Sequence, residues 1–112
     1  MYIFLFSQPS QLKSARSGGL KLQEILAIVA AQGLSVFTAT AVFNAAAMGL
    51  SEAQAVAVVI SITRAMFYKS MTTHNDNRKW QDVYHVSCPN GSVAYIKLTL
   101  QDGAVVIQFK EK

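Results

Sequence analysis

The sequence predicts an α+β protein, with N-terminal helices packed on one face of a C-terminal antiparallel sheet. Three observations carry that reading. Apolar residues recur at helical spacing up to about Arg64, the period changes to two after it, and glycine-bearing turns join the last three strand-like runs. The 112 residues read as one domain: an irregular lead-in over 1–19, a mainly helical part over 20–64, and strands over 65–112.

The lead-in opens on the apolar run Met1 to Phe6, which breaks at Ser7-Gln8-Pro9. That is far short of the roughly 18 residues a membrane span needs, and no basic segment precedes it as in a signal peptide. It reads as a short edge strand or a misassigned start. Ser17-Gly18-Gly19 closes this segment, which carries Lys13 and Arg16. From Leu20, the residues Leu22, Ile25, Leu26 and Val29 mark one face of a first helix, and Gly33 stops it. A second helix is expected from about Thr38 to Ala47, ended by Gly49. Ser51 with Gln54 forms a capping box that opens a third, through Val56, Val59, Ile60 and Ile62. The alanine-rich run between Ala39 and Ala57 is explained by helix propensity and close helix contact alone.

Residues 93–100 alternate strictly between polar and apolar, and residues 104–110 do so more loosely. Asp102-Gly103 between them has the chemistry of a two-residue type I′ turn. Such a turn pairs Gln101 with Ala104, Thr99 with Val106, Lys97 with Gln108 and Tyr95 with Lys110. Ile96, Leu98, Leu100, Val105, Ile107 and Phe109 then share the core face. Upstream, Pro89-Asn90-Gly91 suits a three-residue loop with Gly91 in the left-handed region, closing Cys88 opposite Ser92. In that register His85 faces Tyr95, Val83 faces Lys97 and Gln81 faces Thr99, while Trp80, Asp82 and Tyr84 fall on the other side. The outer face therefore carries Tyr95, Lys97, Thr99, Gln108 and Lys110. Two readings suit it: the solvated face of an antiparallel sheet, or a surface for a phosphodiester.

Composition narrows the chemistry. Hydrophobic residues at 52% supply a real core, and charged residues at 14% are too few for a solvating tail. The net charge of +4 is compatible with a polyanionic partner and common enough in other domains. One cysteine, Cys88, allows no internal disulfide and no cysteine-based zinc site within the chain. A reducing, cytoplasmic location is the simplest expectation. There is no G-x-G-x-x-G or P-loop to cradle a nucleotide cofactor. His74, His85, Asp76 and Asp82 do not fall at metal-ligand spacing, so no metal and no cofactor is expected. Cys88 has no base partner that would make it a nucleophile.

Three segments carry a resemblance. F-Y-K-S-M-T-T at 67–73, W-Q-D-V-Y at 80–84 and F-K-E-K at 109–112 resemble the motility quorum-sensing regulator (MqsR) toxins, and T-A-T-A-V-F-N-A-A-A-M-G-L at 38–50 does so more weakly. The likeness runs from about Leu20 to Lys112. It implies a RelE/YoeB-like fold and an mRNA interferase from a type II toxin–antitoxin pair. Such an enzyme cleaves single-stranded mRNA at GCU-type sites and is silenced by a zinc- and DNA-binding antitoxin. The lysine of F-Y-K matches Lys69, the glutamine of W-Q-D matches Gln81, a tyrosine two residues before a lysine matches Tyr95, and the lysine of F-K-E-K matches Lys110. These four are the expected catalytic residues, with Tyr68, Lys97 and His85 as substrate-binding neighbours. The chain departs from the family at 1–19, in its alanine-rich helices, and at His85, where relatives are expected to carry an arginine.

The chemistry implied is metal-independent attack of a ribose 2′-OH on the adjacent phosphate. That reaction needs a base, positive charge on the phosphorane oxygens and an acid for the leaving 5′-oxygen. Lys69 and Lys110 read as charge stabilisers. Gln81 does not titrate and would orient groups by hydrogen bonding. From sequence, a binding-only basic module and a ribosome-dependent RNase both remain open.

Overall fold

Leu22, Ile25 and Val29, spaced for one helical face, are all buried on α1 (Leu22–Gln32) in the computed structural model, which describes residues 21–72, 80–101 and 104–112. Glu24 closes the start of this helix, its Oε1 accepting the backbone N–H of Lys21 at 2.8 Å. Gly33, with φ of 59°, ends it, and a 3-10 turn over Gly33–Val36 follows. Helix α2 (Ala39–Ala47) is capped by the Thr38 hydroxyl, which accepts the Ala41 N–H at 3.0 Å. Helix α3 (Glu52–Ile60) has the expected capping box: Gln54 N–H donates to Ser51 Oγ at 3.1 Å, and Ser51 N–H donates to Gln54 Oε1 at 2.9 Å. The lead-in over 1–19 and the helix start at Leu20 lie outside the described residues. No single helix among the described residues is long and apolar enough to cross a membrane.

A second 3-10 turn, Arg64–Met66, leads into the strands β1 (Phe67–Thr72), β2 (Trp80–Ser87), β3 (Val93–Gln101) and β4 (Ala104–Glu111). They form an antiparallel meander in the order β1-β2-β3-β4. The expected registers hold. Tyr95 pairs with Lys110, Lys97 with Gln108, and Gln101 with Ala104; the Asp102-Gly103 turn between the last two lies outside the described residues. His85 pairs with Tyr95, Val83 with Lys97 and Gln81 with Thr99. Cys88 N–H donates to the Ser92 carbonyl at 2.9 Å, and Gly91 has φ of 89°, as a three-residue loop requires. Asn90 braces that loop: its Nδ2 donates to the Met48 carbonyl at 2.7 Å, and its Oδ1 accepts from both the backbone and hydroxyl of Ser92.

The helices cover one face of this sheet. Ile96, Leu98, Ile107 and Phe109 are buried against α1, α2 and α3 in a continuous apolar cluster. Burying each such side chain contributes about 1.5–3 kcal/mol. Helix α2 also seals the free edge of β4. Phe37 bridges Ile107, Thr38 N–H donates to the Ile107 carbonyl at 3.0 Å, and Asn44 Nδ2 donates to the Phe109 carbonyl at 3.0 Å. This satisfies backbone groups that an open edge would offer to another chain. Replacing Asn44 with Ala should lower unfolding stability by roughly 1–3 kcal/mol, since it strands the Phe109 carbonyl. An unchanged urea midpoint would refute that role.

Asp82 and Tyr84 point into the core side, as the register requires, each with 1% of its surface exposed. The Ser70 hydroxyl donates to Asp82 Oδ1 at 2.7 Å, tying β1 to β2. Burial first, and the charge of Asp82 second, hold the Tyr84 phenol well above the ordinary tyrosine range. The unfolded chain releases that proton near pH 10 while the folded chain keeps it. The stability contributed is therefore complete below about pH 10 and is lost as pH rises beyond it. Between pH 9 and pH 11, Tyr84→Phe should lose less denaturant resistance than the wild type; equal losses would contradict the assignment.

Candidate functional site

Strict alternation along β1 would send Phe67 and Lys69 to the same side. The pairing with β2 prevents this: Phe67 lies opposite Tyr84, Lys69 lies opposite Val83, and the register shifts between them. This is a β-bulge, with Tyr68 as the extra residue. Phe67 therefore meets Tyr84 edge to face in the core, at 5.7 Å between ring centres. Tyr68 and Lys69, consecutive in sequence, both come to the outer face. Sequence reasoning missed the bulge, which no glycine or proline marks. Its one signal was two residues of the same parity, one apolar and one charged, that need opposite environments.

The bulge completes a row across the sheet. Tyr68 stacks on His85 with ring centres 4.2 Å apart and planes 25° apart. His85 in turn sits 5.6 Å from Tyr95, tilted by 40°. Lys110 Nζ lies 5.0 Å from the centre of the Tyr95 ring, and Lys69 Nζ lies 5.4 Å from that of Tyr68. Both distances are within cation–π range. Three flat rings thus bridge two ammonium groups, with Tyr68 53% exposed and both lysines at the surface.

The remaining expected residues are placed less closely. Lys97 stands in the adjacent row, between Val83 on β2 and Gln108 on β4. Gln81 is on the same face but four residues along β2 from His85, about 13 Å by the strand rise; its near neighbours across the strands are Met71 and Thr99. Lys69 and Lys110 do not cluster. They occupy the two edge strands, separated by three strand spacings, about 14 Å, across the sheet and by two residues, about 7 Å, along it; their ammonium groups meet the first and last rings of the row. The outer face is also less solvated than a polar alternation implies, because Val83 and Thr99 are buried within it and the Thr99 hydroxyl has no hydrogen-bond partner among the described residues.

Beside this row, a cleft of about 330 Å³ opens between α2 and the β3–β4 pair, lined in part by Tyr95, Lys97 and Lys110. Among the described residues no three His, Cys, Asp or Glu side chains converge as metal ligands. His74 and Asp76 lie outside the described residues. Cys88 is buried.

Fold and face together define a small α+β domain with a cationic, aromatic surface on the outer side of its sheet. Residues 18–111 match the family model described as motility quorum-sensing regulator, toxin of MqsA, and the chain belongs to that family. A relative in Escherichia coli (strain K12), the mRNA interferase toxin MqsR, is 40% identical over 75 residues, covering 67% of this chain and 76% of the relative.

Proposed function

We propose that this chain is the toxin of a toxin–antitoxin pair and acts as an endoribonuclease on single-stranded mRNA, cutting at GCU-type sites without a metal. Family membership and the name of the Escherichia coli relative support the toxin and mRNA interferase reading. The observation that carries the site is the row Lys69, Tyr68, His85, Tyr95, Lys110 on one exposed face. Rings in such a row receive unstacked bases, and ammonium groups at its ends meet the phosphates. The partner expected from the family is an antitoxin that binds zinc and DNA.

In the proposed reaction the ribose O2′ attacks the adjacent phosphorus. The O2′–P bond forms, the P–O5′ bond breaks, and the products end in a 2′,3′-cyclic phosphate and a 5′-hydroxyl. His85 takes the proton from O2′, since imidazole is the side chain that most often serves as a general base. Tyr95, beside it, returns a proton to O5′. Lys110 and Lys69 offset the charge that grows on the phosphorane oxygens. Gln81, farther along β2, orients the strand by hydrogen bonding.

With an end-labelled single-stranded RNA containing GCU, in EDTA, the purified chain should yield fragments with 2′,3′-cyclic phosphate ends. Lys69→Ala and Lys110→Ala should each lower the rate about a hundredfold. RNA that is bound but left intact would replace this reading with a binding-only module, and cuts that appear only during translation would replace it with a ribosome-dependent RNase. His85→Ala should flatten the acidic limb of the pH–rate profile. A profile of unchanged shape would remove His85 as the base.

A further inference from the structure

We propose that the cleft between α2 and the β3–β4 pair is a specificity subsite that reads the base of one nucleotide next to the cleaved phosphate, with Thr40 and Gln108 as its recognition groups. The inference rests on the endoribonuclease reading and adds to it residues outside the expected site.

The cleft shares Tyr95, Lys97 and Lys110 with the proposed machinery. A nucleotide whose phosphate meets the lysines therefore has its base within reach of the opposite wall. That wall differs in chemistry from the cationic side: Thr38 and Thr40 come from the start of α2, while Gln108 stands on the sheet itself, paired with Lys97, and adds a neutral group between the two. All three are neutral groups that donate and accept hydrogen bonds, which suits a base edge better than a phosphate. At about 330 Å³ the cleft is at the small end of ligand pockets, roughly 300–1,000 Å³. That volume is of the order a single nucleotide base requires.

Not every polar group in the cleft is available. The Thr38 oxygen caps α2 through the Ala41 N–H, and Asn44 donates to the Phe109 carbonyl. Thr40 and Gln108 are exposed and make no side-chain hydrogen bond among the described residues. Their donors and acceptors are free for a ligand. Groups of this kind reject a base that leaves them unpaired, which is how polar sites discriminate most strongly.

The test is cleavage of a single-stranded RNA pool of random sequence, with the cut sites sequenced, by the wild type, Thr40→Val and Gln108→Leu. Both positions are at the surface, and circular dichroism melts establish that each variant is folded. The wild type should favour one base at a position flanking the cut, and each variant should relax that preference about tenfold while still cutting. An unchanged preference would overturn the subsite, as would a loss of rate shared equally by all bases. A wild type that cuts no free RNA would instead refute the endoribonuclease reading itself.

Discussion

Backbone pairing of β3 with both of its neighbours is the constraint on which the outer face depends. Side chains alternate with a period of two, so one register places His85, Tyr95 and Lys110 in line while Tyr84, Ile96 and Phe109 line up behind them. A slip of one residue in β3 would bring Ile96 and Leu98 to the surface and push Tyr95 and Lys97 into the core. The buried apolar side chains on the far face oppose that exchange, each by about 1.5–3 kcal/mol. Core burial and site geometry are thus two faces of one register. Asn90 adds a local lock, since it ties the β2–β3 loop to the end of α2 as well as to Ser92.

Among the described residues, the bulge at Tyr68 is where strand alternation is broken, and the row of rings exists because of it. A regular β1 would have had to choose between burying Phe67 and exposing Lys69. The extra residue permits both, and Tyr68 lands on His85. Behind it, the hydrogen bond from Ser70 to Asp82 holds β1 to β2 from the core side. The bulged strand is therefore fixed on both faces, which matters for an edge strand that carries a proposed phosphate-binding lysine.

At the opposite edge, α2 performs two tasks with the same residues. Thr38 and Asn44 satisfy carbonyl groups of β4 that would otherwise lie open, and in doing so they set the helix beside the outer face. The cleft next to Tyr95 and Lys110 is a consequence of that docking. Sealing an edge strand and forming a concave wall are here one packing solution, and the neutral polar wall of the cleft faces the cationic side chains of the sheet.

Much of this was legible in the residues. The helices were marked by apolar spacing and by Gly33, Thr38 and Ser51. The hairpin registers followed from turn chemistry and parity, so Tyr95 and Lys110 could be set side by side, with His85 joining them, before any tertiary contact was known. These are local properties, determined by backbone preferences within a few residues of each turn. The bulge, the separation of Lys69 from Lys110, the distance of Gln81 from the row and the cleft under α2 could not be read in the same way. Each depends on how elements distant in sequence compete for one core: Phe67 for Tyr84, and α2 for the edge of β4. Sequence determined which side chains share a face, because alternation is a property of the strand itself. Tertiary structure decided which of them touch, because that follows from strand order, a bulge and helix docking, where long-range burial outweighs local preference.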